Sequence, residues 1–172
     1  IGRQNRSSLY DLNQDKPKPL ILESNIWGIT ERIDKNGNII YELDGENLDE
    51  IIESIKSSGI DSIAVSLLFS FQNSFHEDFI NQKLSEIDLN LYKSISSQVL
   101  PEFREYERTS TVVVNSYVGP IIDKYLGNLE GKIENSNLRI MQSSGGAISS
   151  KQARNQPVRT MLSGPAGGVV GS

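Results

Sequence analysis

The sequence contains no cysteine, which excludes disulfide bonds, thiol nucleophiles and thiolate metal ligands together. Basic residues are in deficit: 17 Lys and Arg stand against 22 Asp and Glu, a net charge of −5, and they form no basic cluster. Nucleic acid is therefore not an expected partner, because phosphate backbones are bound by clustered basic residues. No apolar run approaches the roughly 18 residues of a membrane span, so we expect no membrane partner.

A signal peptide is also missing from the first twenty residues, which lack its charged-then-apolar order. Together with the lack of cysteine, this favours a cytoplasmic location. By length, 172 residues make one domain, and a chain of this size buries roughly 70% of its unfolded surface. Since neither repeats nor low-complexity segments occur, we expect a compact core.

Glycine is grouped in two turns in the last third of the chain. The first turn follows an apolar run at 138–141, which predicts a buried strand. Open α/β sheets bind ligands at the carboxyl ends of their strands, so we interpret this turn as a candidate ligand-binding turn. Its residues are Ser143, Ser144, Gly145 and Gly146.

The second glycine turn follows the apolar patch 158–162 and predicts the start of a helix. Ser163 is a suitable N-cap and Pro165 suits the first turn, and the exposed amides of a helix start attract anions. Packing explains the same residues, because glycines four apart give a helix a smooth face that a neighbouring backbone can approach. Both interpretations stay open for Ser163, Gly164, Gly167 and Gly168.

Two sharper nucleotide motifs are excluded at these turns. A P-loop requires Lys and then Ser or Thr after its last glycine, whereas Val169 and Val170 stand there. A dinucleotide-binding fingerprint requires G-x-G-x-x-G, which no frame of the sequence supplies.

Charged residues are dense at 101–108, where a helix is expected to begin. Arg104 and Arg108 would then lie one turn apart, and salt bridges on a solvated face, worth a few tenths of a kcal/mol each, explain such a pattern. A functional interpretation places Glu105 or Glu107 beside a cleft, as a base or a ligand of magnesium-bound water, and Arg104 or Arg108 as an anion clamp.

The N-terminal part predicts an extended segment, a β-hairpin and a helix. Residues 1–19 are polar, and an Asn-Gly pair between two apolar runs at 35–38 is a strong hairpin signal. Asn47, with Glu50 three residues later, predicts a capping box for the following helix. Gly59 is expected to end that helix.

The central part predicts alternating strands and helices. The nearly continuous apolar run 60–69 predicts a central strand covered on both faces. Ser74 with Glu77 predicts a second capping box, and the next strand is expected at 91–99. A long helix follows, and the Gly119-Pro120 pair should kink it, since proline has no amide hydrogen to donate.

The single histidine, His76, falls in the first turn of the second predicted helix. Histidine is the usual proton carrier near neutral pH, but the surrounding sequence lacks the spacing of a zinc site. We interpret His76 as a surface residue and not as a catalytic one.

The order of elements predicts an α/β fold: a mainly parallel sheet with flanking helices, right-handed crossovers and a small N-terminal β-hairpin. Both glycine turns should lie near one edge of that sheet. We divide the chain into an N-terminal extended segment and hairpin, 1–45, and an α/β portion, 46–172.

Three segments stand out as recognisable motifs. They read IGRQNR at 1–6, PEFREYERTSTVVVNSYVGP at 101–120 and MQSSGGAISSKQARNQPVRTMLSGPAGGVVGS at 141–172. In this order they closely resemble the hydantoinase A and 5-oxoprolinase family, which includes subunits of acetone-type carboxylases. The resemblance implies an actin-like ATPase, in which two ribonuclease-H-like domains flank a cleft that holds ATP and magnesium.

The resemblance also implies roles for particular residues. Glu105 and Arg108 would line the catalytic cleft. The first glycine turn, 143–146, would approach nucleotide or substrate, and 163–168 would form a connecting helix at the interdomain hinge. Two arginines of the first motif would contact a substrate carboxylate or a phosphate: Arg3 and Arg6.

For function, the resemblance implies a parent enzyme that uses ATP to open a cyclic amide such as a hydantoin or 5-oxoproline. Phosphorylating the amide oxygen would turn the carbonyl carbon into a good electrophile for water. A companion hydantoinase B-type subunit or domain is the expected partner. The alternatives are a subunit of an acetone-type carboxylase, which phosphorylates a ketone or bicarbonate, and a non-catalytic actin-fold docking piece.

Two acidic glycine turns that serve this family as phosphate motifs do not occur in the sequence. One is expected upstream of the IGRQNR segment and the other shortly after SGPAGGVVG. We therefore expect the chain to be an excised part of a larger enzyme. Alone, it should neither hydrolyse ATP nor bind ATP and magnesium tightly.

Overall fold

The computed structural model describes residues 20–87, 90–133 and 138–170. No helix in these ranges combines the length and the apolar character needed to cross a membrane. The helices are α1 (Gly45–Ser58), α2 (Phe75–Glu86), α3 (Ser96–Val99), α4 (Glu105–Glu130), α5 (Ser150–Asn155) and α6 (Ser163–Val170), with 3-10 turns at Glu23–Asn25 and Pro157–Thr160. The strands are β1 (Arg32–Ile33), β2 (Ile39–Tyr41), β3 (Ser62–Val65), β4 (Tyr92–Ile95), β5 (Arg139–Met141) and β6 (Ala147–Ser149).

The N-terminal hairpin pairs β1 with β2 around the Asn-Gly turn, as the sequence predicts. Gly37 has a φ of +84° there, a conformation that favours glycine. Asp34 organises the turn, because its carboxyl group accepts from the Asn38 side chain at 3.1 Å and from the amides of Asn36 and Asn38 at 2.8 Å each. The hydrogen bond from the Asn38 side chain, supported by the main-chain amides, lowers the pKa of Asp34.

The centre of the fold is the parallel pair β3 and β4, in register from Ser62 opposite Tyr92 to Val65 opposite Ile95. Parallel strands require a crossover connection, which α2 supplies. The first core cluster fills the space between α1, α2 and these strands. Its buried residues are Leu48, Ile52, Ile55, Val65, Ile80, Leu84, Leu91 and Ile95.

The longest helix, α4, packs along both parallel strands. Pro120 lies inside this single helix. Its neighbour Gly119 faces the ring of Tyr92 from β4, and a Cβ at that position would overlap the ring. Glycine is therefore required for the close approach of β4 and α4.

The carboxyl-terminal part is organised by the antiparallel hairpin of β5 and β6 and by α5. A second core cluster joins this part to α4 through Leu126, Ile148 and Ala153. The Tyr92 hydroxyl reaches across from β4 and donates to the carbonyl oxygens of Arg154 at 2.7 Å and Asn155 at 3.2 Å. Burial raises the pKa of Tyr92 to about 12.

Both predicted capping boxes are wrong. Helix α1 begins at Gly45, and Asp44 caps it by accepting from the amide of Asn47 at 3.1 Å. At α2, the Ser74 hydroxyl donates to the Asp78 carboxyl group at 2.6 Å and caps no amide. Several acceptors compete near each helix start, and the sequence alone does not rank them. The predicted end of α1 is confirmed, since Gly59 has a φ of +68°.

Two strand predictions are corrected in their details. Strand β4 ends at Ile95, and Ser96–Val99 forms the short helix α3 instead of continuing the strand. The strand expected at 138–141 forms as β5, but it pairs with β6 in a hairpin. The predicted α/β class, with a parallel pair, flanking helices and a small N-terminal hairpin, is confirmed.

The predicted boundary between 1–45 and 46–172 falls at the start of α1. Three residues from its N-terminal side pack against the first core cluster: Trp27, Ile29 and Leu43. The division of the chain at this point stays a prediction.

Candidate functional site

The carboxyl ends of β3 and β4 meet at the buried carboxyl group of Glu77 from α2. Its Oε1 accepts from the amide of Leu67 at 2.8 Å and from the Ser96 hydroxyl at 2.6 Å. Its Oε2 accepts from the amide of Ser97 at 2.8 Å. Glu77 is fully buried, so these bonds satisfy main-chain donors that would otherwise be unpaired at the ends of both strands.

Arg108, in the first turns of α4, lies beside this carboxyl group. Its Nη2 donates to the carbonyl oxygen of Leu67 at 2.5 Å, and its Nη1 donates to that of Glu102 at 3.4 Å. The guanidinium carbon is 5.4 Å from the centroid of the Phe71 ring. The side chain is 1% exposed, so the structure uses Arg108 to tie α4 to the loop after β3.

The pKa of Arg108 is lowered by burial, while the nearby charges of Glu77 and Glu105 oppose that lowering. Glu105 is the first residue of α4 and is half-buried. The structure therefore brings together Glu105 and Arg108, the two residues predicted to line the catalytic cleft. Their catalytic roles stay predictions.

An anion arriving at this edge of the sheet would meet Glu77. The amides that could bind it, those of Leu67 and Ser97, already donate to the Glu77 carboxyl group. A second negative group beside a buried carboxyl group is disfavoured. This arrangement favours a structural role for Arg108 over that of an anion clamp.

Arg104 is the N-cap of α4, and its carbonyl oxygen accepts from the amide of Arg108, one helical turn later, at 3.0 Å. It precedes the first helical residue with a φ of +75°. Its guanidinium carbon lies 5.6 Å from the centroid of the exposed Phe103 ring. The left-handed backbone conformation of Arg104 marks the junction between the loop and α4. The charge pattern of the sequence did not indicate this conformation.

The interpretation of His76 as a surface residue is wrong. The ring is 1% exposed, with Nδ1 at 2.7 Å from Glu31 Oε2 and Nε2 at 3.8 Å from Glu42 Oε2. These carboxyl groups flank the N-terminal hairpin, which lies over the start of α2. The error arose because this contact joins residues far apart in the sequence.

The first glycine turn is the tip of the β5–β6 hairpin. Gly145 and Gly146 have φ values of +86° and +78°, which only glycine adopts readily. The Gly145 amide donates to the Gln142 carbonyl oxygen, and the Gln142 amide donates to the Gly146 carbonyl oxygen, at 3.1 Å each. Within the described ranges, the amides of Ser144 and Gly146 make no hydrogen bond.

Ser143 fastens this turn to the 3-10 turn that precedes α6. Its amide donates to the Arg159 carbonyl oxygen at 2.7 Å, and its hydroxyl donates to the same oxygen at 3.0 Å. Both hydrogen-bond donors of Ser143, its amide and its hydroxyl, are therefore engaged with Arg159.

The second glycine turn forms α6, which begins at Ser163 and packs against β5. Gly167 faces Met141, and a Cβ built on it would lie 3.6 Å from the Met141 Cγ. Among the described residues, nothing lies within 4 Å of a Cβ built on Gly164 or Gly168. A methyl group on Gly167 would make ordinary van der Waals contact with Met141, so packing does not require glycine there, and Gly164 and Gly168 lie on an exposed face of the helix.

The two glycine turns are neighbours in space, because Ser143 binds Arg159 and Gly167 packs against Met141. The main-chain donors at the first turn suit an anionic group such as a phosphate. No group of three or more metal-ligating side chains occurs among the described residues. An open groove between α1 and α2 is lined by residues such as Asp49, Lys56 and Lys83, and no predicted site residue within the described ranges lines it.

Arg3 and Arg6 lie outside the described residues. Their predicted contact with a substrate carboxylate or a phosphate stays a prediction.

Two protein-family models match the chain. A model of the hydantoinase/oxoprolinase N-terminal region matches residues 1–88, and a hydantoinase/oxoprolinase model matches residues 108–172. The chain belongs to the hydantoinase/oxoprolinase family. The resemblance carried by the three sequence motifs is thereby confirmed.

The relatives of this family member include three that share 30% identity or more. The uncharacterized protein MJ0964 of Methanocaldococcus jannaschii is 41% identical over 99% of the chain and 26% of its own length. The acetophenone carboxylase gamma subunit of Aromatoleum aromaticum is 32% identical over 92% of the chain and 23% of its own length. For 5-oxoprolinase 1 of Arabidopsis thaliana the identity is 30%, over 99% of the chain and 15% of its own length.

The crystal structure of the ATP-dependent caprolactamase from Pseudomonas jessenii has a similar fold. It matches with a TM-score of 0.81 and 26% identity over 96% of the chain and 24% of the caprolactamase chain. The chain thus spans about a quarter or less of the length of the relatives it matches.

The sequence patterns did not predict the roles of Glu77 and Asn115, which are among the buried polar residues in the described part of this hydantoinase/oxoprolinase chain. The capping-box pattern predicts a helix-cap role for Glu77. Asn115 interrupts the apolar run VVVNSYV in α4, and a polar residue inside such a run signals a buried hydrogen bond.

Proposed function

We propose that the chain is part of an ATP-dependent enzyme that opens a cyclic amide such as a hydantoin or 5-oxoproline. The observation that carries the proposal is the similarity to the ATP-dependent caprolactamase, which extends over 96% of the chain. The 5-oxoprolinase relative supports it, since its name also describes the opening of a cyclic amide.

An unstrained cyclic amide resists hydrolysis because its carbonyl carbon is a poor electrophile. ATP supplies a phosphoryl group to the amide oxygen, with ADP as the leaving group, and the carbon then accepts water. Cleavage of the C–N bond, with a proton transferred to nitrogen, opens the ring and leaves an acyl phosphate. A second water molecule then releases phosphate and leaves the free carboxylate. Most of the catalysis in phosphoryl transfer is positioning and charge stabilisation, so main-chain donors are suitable contributors.

The first glycine turn is the proposed nucleotide contact. Its amides at Ser144 and Gly146 are available for phosphate oxygens, whereas Ser143 holds the turn in place. The open face of α6 at Gly164 and Gly168 is proposed to adjoin the interdomain hinge. Glu105 and Arg108 are proposed to lie at the cleft wall, where Arg108 maintains the shape of the wall.

The test measures ATP turnover by the full-length gene product with a panel of substrates. We expect hydantoin, 5-oxoproline or caprolactam to stimulate ADP release, with one ring-opened product formed per ADP. Stimulation by a ketone with bicarbonate, and by none of the cyclic amides, would contradict the proposal.

A pair of glycine variants tests the proposed nucleotide contact. Gly146→Ala strains a residue with a φ of +78° and displaces the tip of the hairpin, so we expect the KM for ATP to rise about tenfold or more. The control is Gly28→Ala, at an exposed glycine where no described residue lies within 4 Å of a built Cβ, and it should leave KM unchanged. An equal KM for ATP in the two variants would show that the turn does not contact the nucleotide.

A carboxylase subunit is the second candidate, because the acetophenone carboxylase gamma subunit is 32% identical over 92% of the chain. In that case a ketone or bicarbonate would receive the phosphoryl group, and companion subunits would be required. Co-purification with a partner, without substrate-stimulated ATP turnover, would instead favour a docking piece. The 172-residue chain alone is expected not to turn over ATP, and measurable turnover would contradict that expectation.

A further inference from the structure

Asn115, in the middle of α4, is fully buried. Its Nδ2 donates to the Ser94 hydroxyl at 2.8 Å and to the Asn155 carbonyl oxygen at 3.4 Å. Its Oδ1 accepts from the amide of Val158 at 3.1 Å. Because a side-chain amide has two donor hydrogens and one acceptor oxygen, both ends of this group are engaged. One side chain thus connects β4, the end of α5 and the turn at Pro157–Thr160.

The residue after Val158 continues this connection to the first glycine turn. The Arg159 carbonyl oxygen accepts from both the amide and the hydroxyl of Ser143. The turn at Pro157–Thr160 is therefore held by α4 at one peptide group and by the β5–β6 hairpin at the next. Helix α6, which carries the second glycine segment, begins four residues after Arg159.

The other polar contact between α4 and α5 does not extend to the glycine turns. Arg154 binds Asp123 at 2.6 Å and Glu130 at 3.1 Å, and all three side chains are partly exposed. Ser116, the buried neighbour of Asn115, donates only to the Val113 carbonyl oxygen of its own helix. Asn115 is thus a buried side chain that hydrogen-bonds α4 to the turn between the two glycine segments.

We propose that Asn115 is a positioning residue, which sets the turn at Pro157–Thr160, and through Arg159 the first glycine turn, against strand β4. It touches no substrate. The consequence for nucleotide affinity rests on the proposed function, whereas the positioning itself does not.

Amide hydrogen exchange in the full-length gene product tests the positioning directly. We expect the amides of Val158 and Ser143 to exchange slowly in the unmodified protein. In Asn115→Ala, both amides should exchange about tenfold faster or more. The Val158 amide loses its acceptor, Asn115 Oδ1, and the Ser143 amide loses the fixed position of its acceptor, the Arg159 carbonyl oxygen. Ser116→Ala is the matched control and should leave both rates unchanged. Rapid exchange of Val158 in the unmodified protein, or uniform acceleration throughout α4 and β4 in Asn115→Ala, would overturn the proposal.

The isosteric variant Asn115→Asp separates positioning from general stability. A buried carboxyl group should destabilise the fold at least as much as alanine does. It nevertheless retains the oxygen that accepts from Val158, so slow exchange of Val158 should be restored. Fast exchange of Val158 in the aspartate variant would overturn the proposal, even if Asn115→Ala fails to fold.

Enzyme kinetics test the part of this proposal that depends on the proposed function. For Asn115→Ala we expect the KM for ATP to rise about tenfold or more with a smaller change in kcat, and Ser116→Ala should resemble the unmodified protein. If the unmodified protein neither binds nor turns over ATP, the proposed function fails, while the exchange rates still decide the role of Asn115. An unchanged KM together with accelerated exchange would overturn the link between positioning and nucleotide affinity.

Discussion

At the scale of single residues, the buried carboxyl group of Glu77 is expected to stabilise the whole sheet edge. Glu77→Gln replaces one acceptor oxygen with an amino group that faces a main-chain donor, either Leu67 or Ser97. A buried donor left unpaired costs about 1–3 kcal/mol, so the free energy of unfolding should fall by about that amount in denaturant titration. Glu86→Gln, the same change at an exposed position of α2, should stay within about 0.5 kcal/mol. Equal effects of the two substitutions would contradict the role of Glu77.

Tyr92 gives the molecule a defined pH dependence. In the unfolded chain tyrosine ionises near its ordinary pKa of 10.0, whereas burial raises the pKa of Tyr92 to about 12. Between these values the unfolded state binds fewer protons than the folded state, so stability should be complete below about pH 10 and fall as the pH rises toward 12.

Denaturation midpoints at pH 9, 10 and 11 measure this fall. Tyr92→Phe should abolish this fall in stability between about pH 10 and 12. It should also lower stability at every pH, since the hydrogen bond to the Arg154 carbonyl oxygen is lost. Tyr117→Phe, on an exposed face of α4, should keep the fall. A fall of the same size in Tyr92→Phe would assign the pH dependence to other groups.

At the scale of the elements, two glycines of α4 are expected to respond oppositely to alanine. Alanine is favoured over glycine in a helix by about 1 kcal/mol. In Gly119→Ala the new methyl group would overlap the Tyr92 ring, which its hydroxyl bonds hold in place, and overpacking of about 1–3 kcal/mol should exceed that gain. In Gly127→Ala the nearest neighbour is the Arg154 guanidinium at 3.8 Å, so the helix should become more stable. Thermal unfolding of both variants checks the difference, and stabilisation by Gly119→Ala would show that β4 and α4 are not in close contact.

The positions of the elements were predictable where a local signal dominates. The Asn-Gly turn gave the first hairpin, Gly59 gave the end of α1, and the apolar run at 60–69 contained β3. Helix starts were not predictable, because Asp44 and Asn47 are both good caps and only the course of the preceding chain selects Asp44. The antiparallel partner of β5 also escaped prediction, since its apolar residues do not specify the direction of the neighbouring strand.

At the scale of the whole molecule, the sequence motifs identified the family but not the internal contacts of the site. The two glycine turns lie next to each other because Ser143 hydrogen-bonds to Arg159. His76 is buried against Glu31, which precedes a hairpin distant in the sequence. Such contacts join residues far apart in the chain, and no periodicity encodes them. The role of Glu77 is therefore visible only in the folded structure, whereas Asn115 is marked in the sequence by the apolar run that it interrupts, although its partners are not.

The two core clusters of the chain should unfold as one unit, because α4 packs on β3 and β4 and also supplies Leu126 to the second cluster. Ile148→Ala removes a buried side chain from the second cluster and should cost about 2–4 kcal/mol. The single tryptophan, Trp27, packs against the first cluster. Its fluorescence therefore reports on the unfolding of the first cluster, which does not contain Ile148. We expect the fluorescence and far-UV circular dichroism midpoints to fall together in denaturant. Ile121→Ala, at an exposed position of α4, should shift neither, and an unchanged fluorescence midpoint in Ile148→Ala would mean that α4 does not couple the clusters.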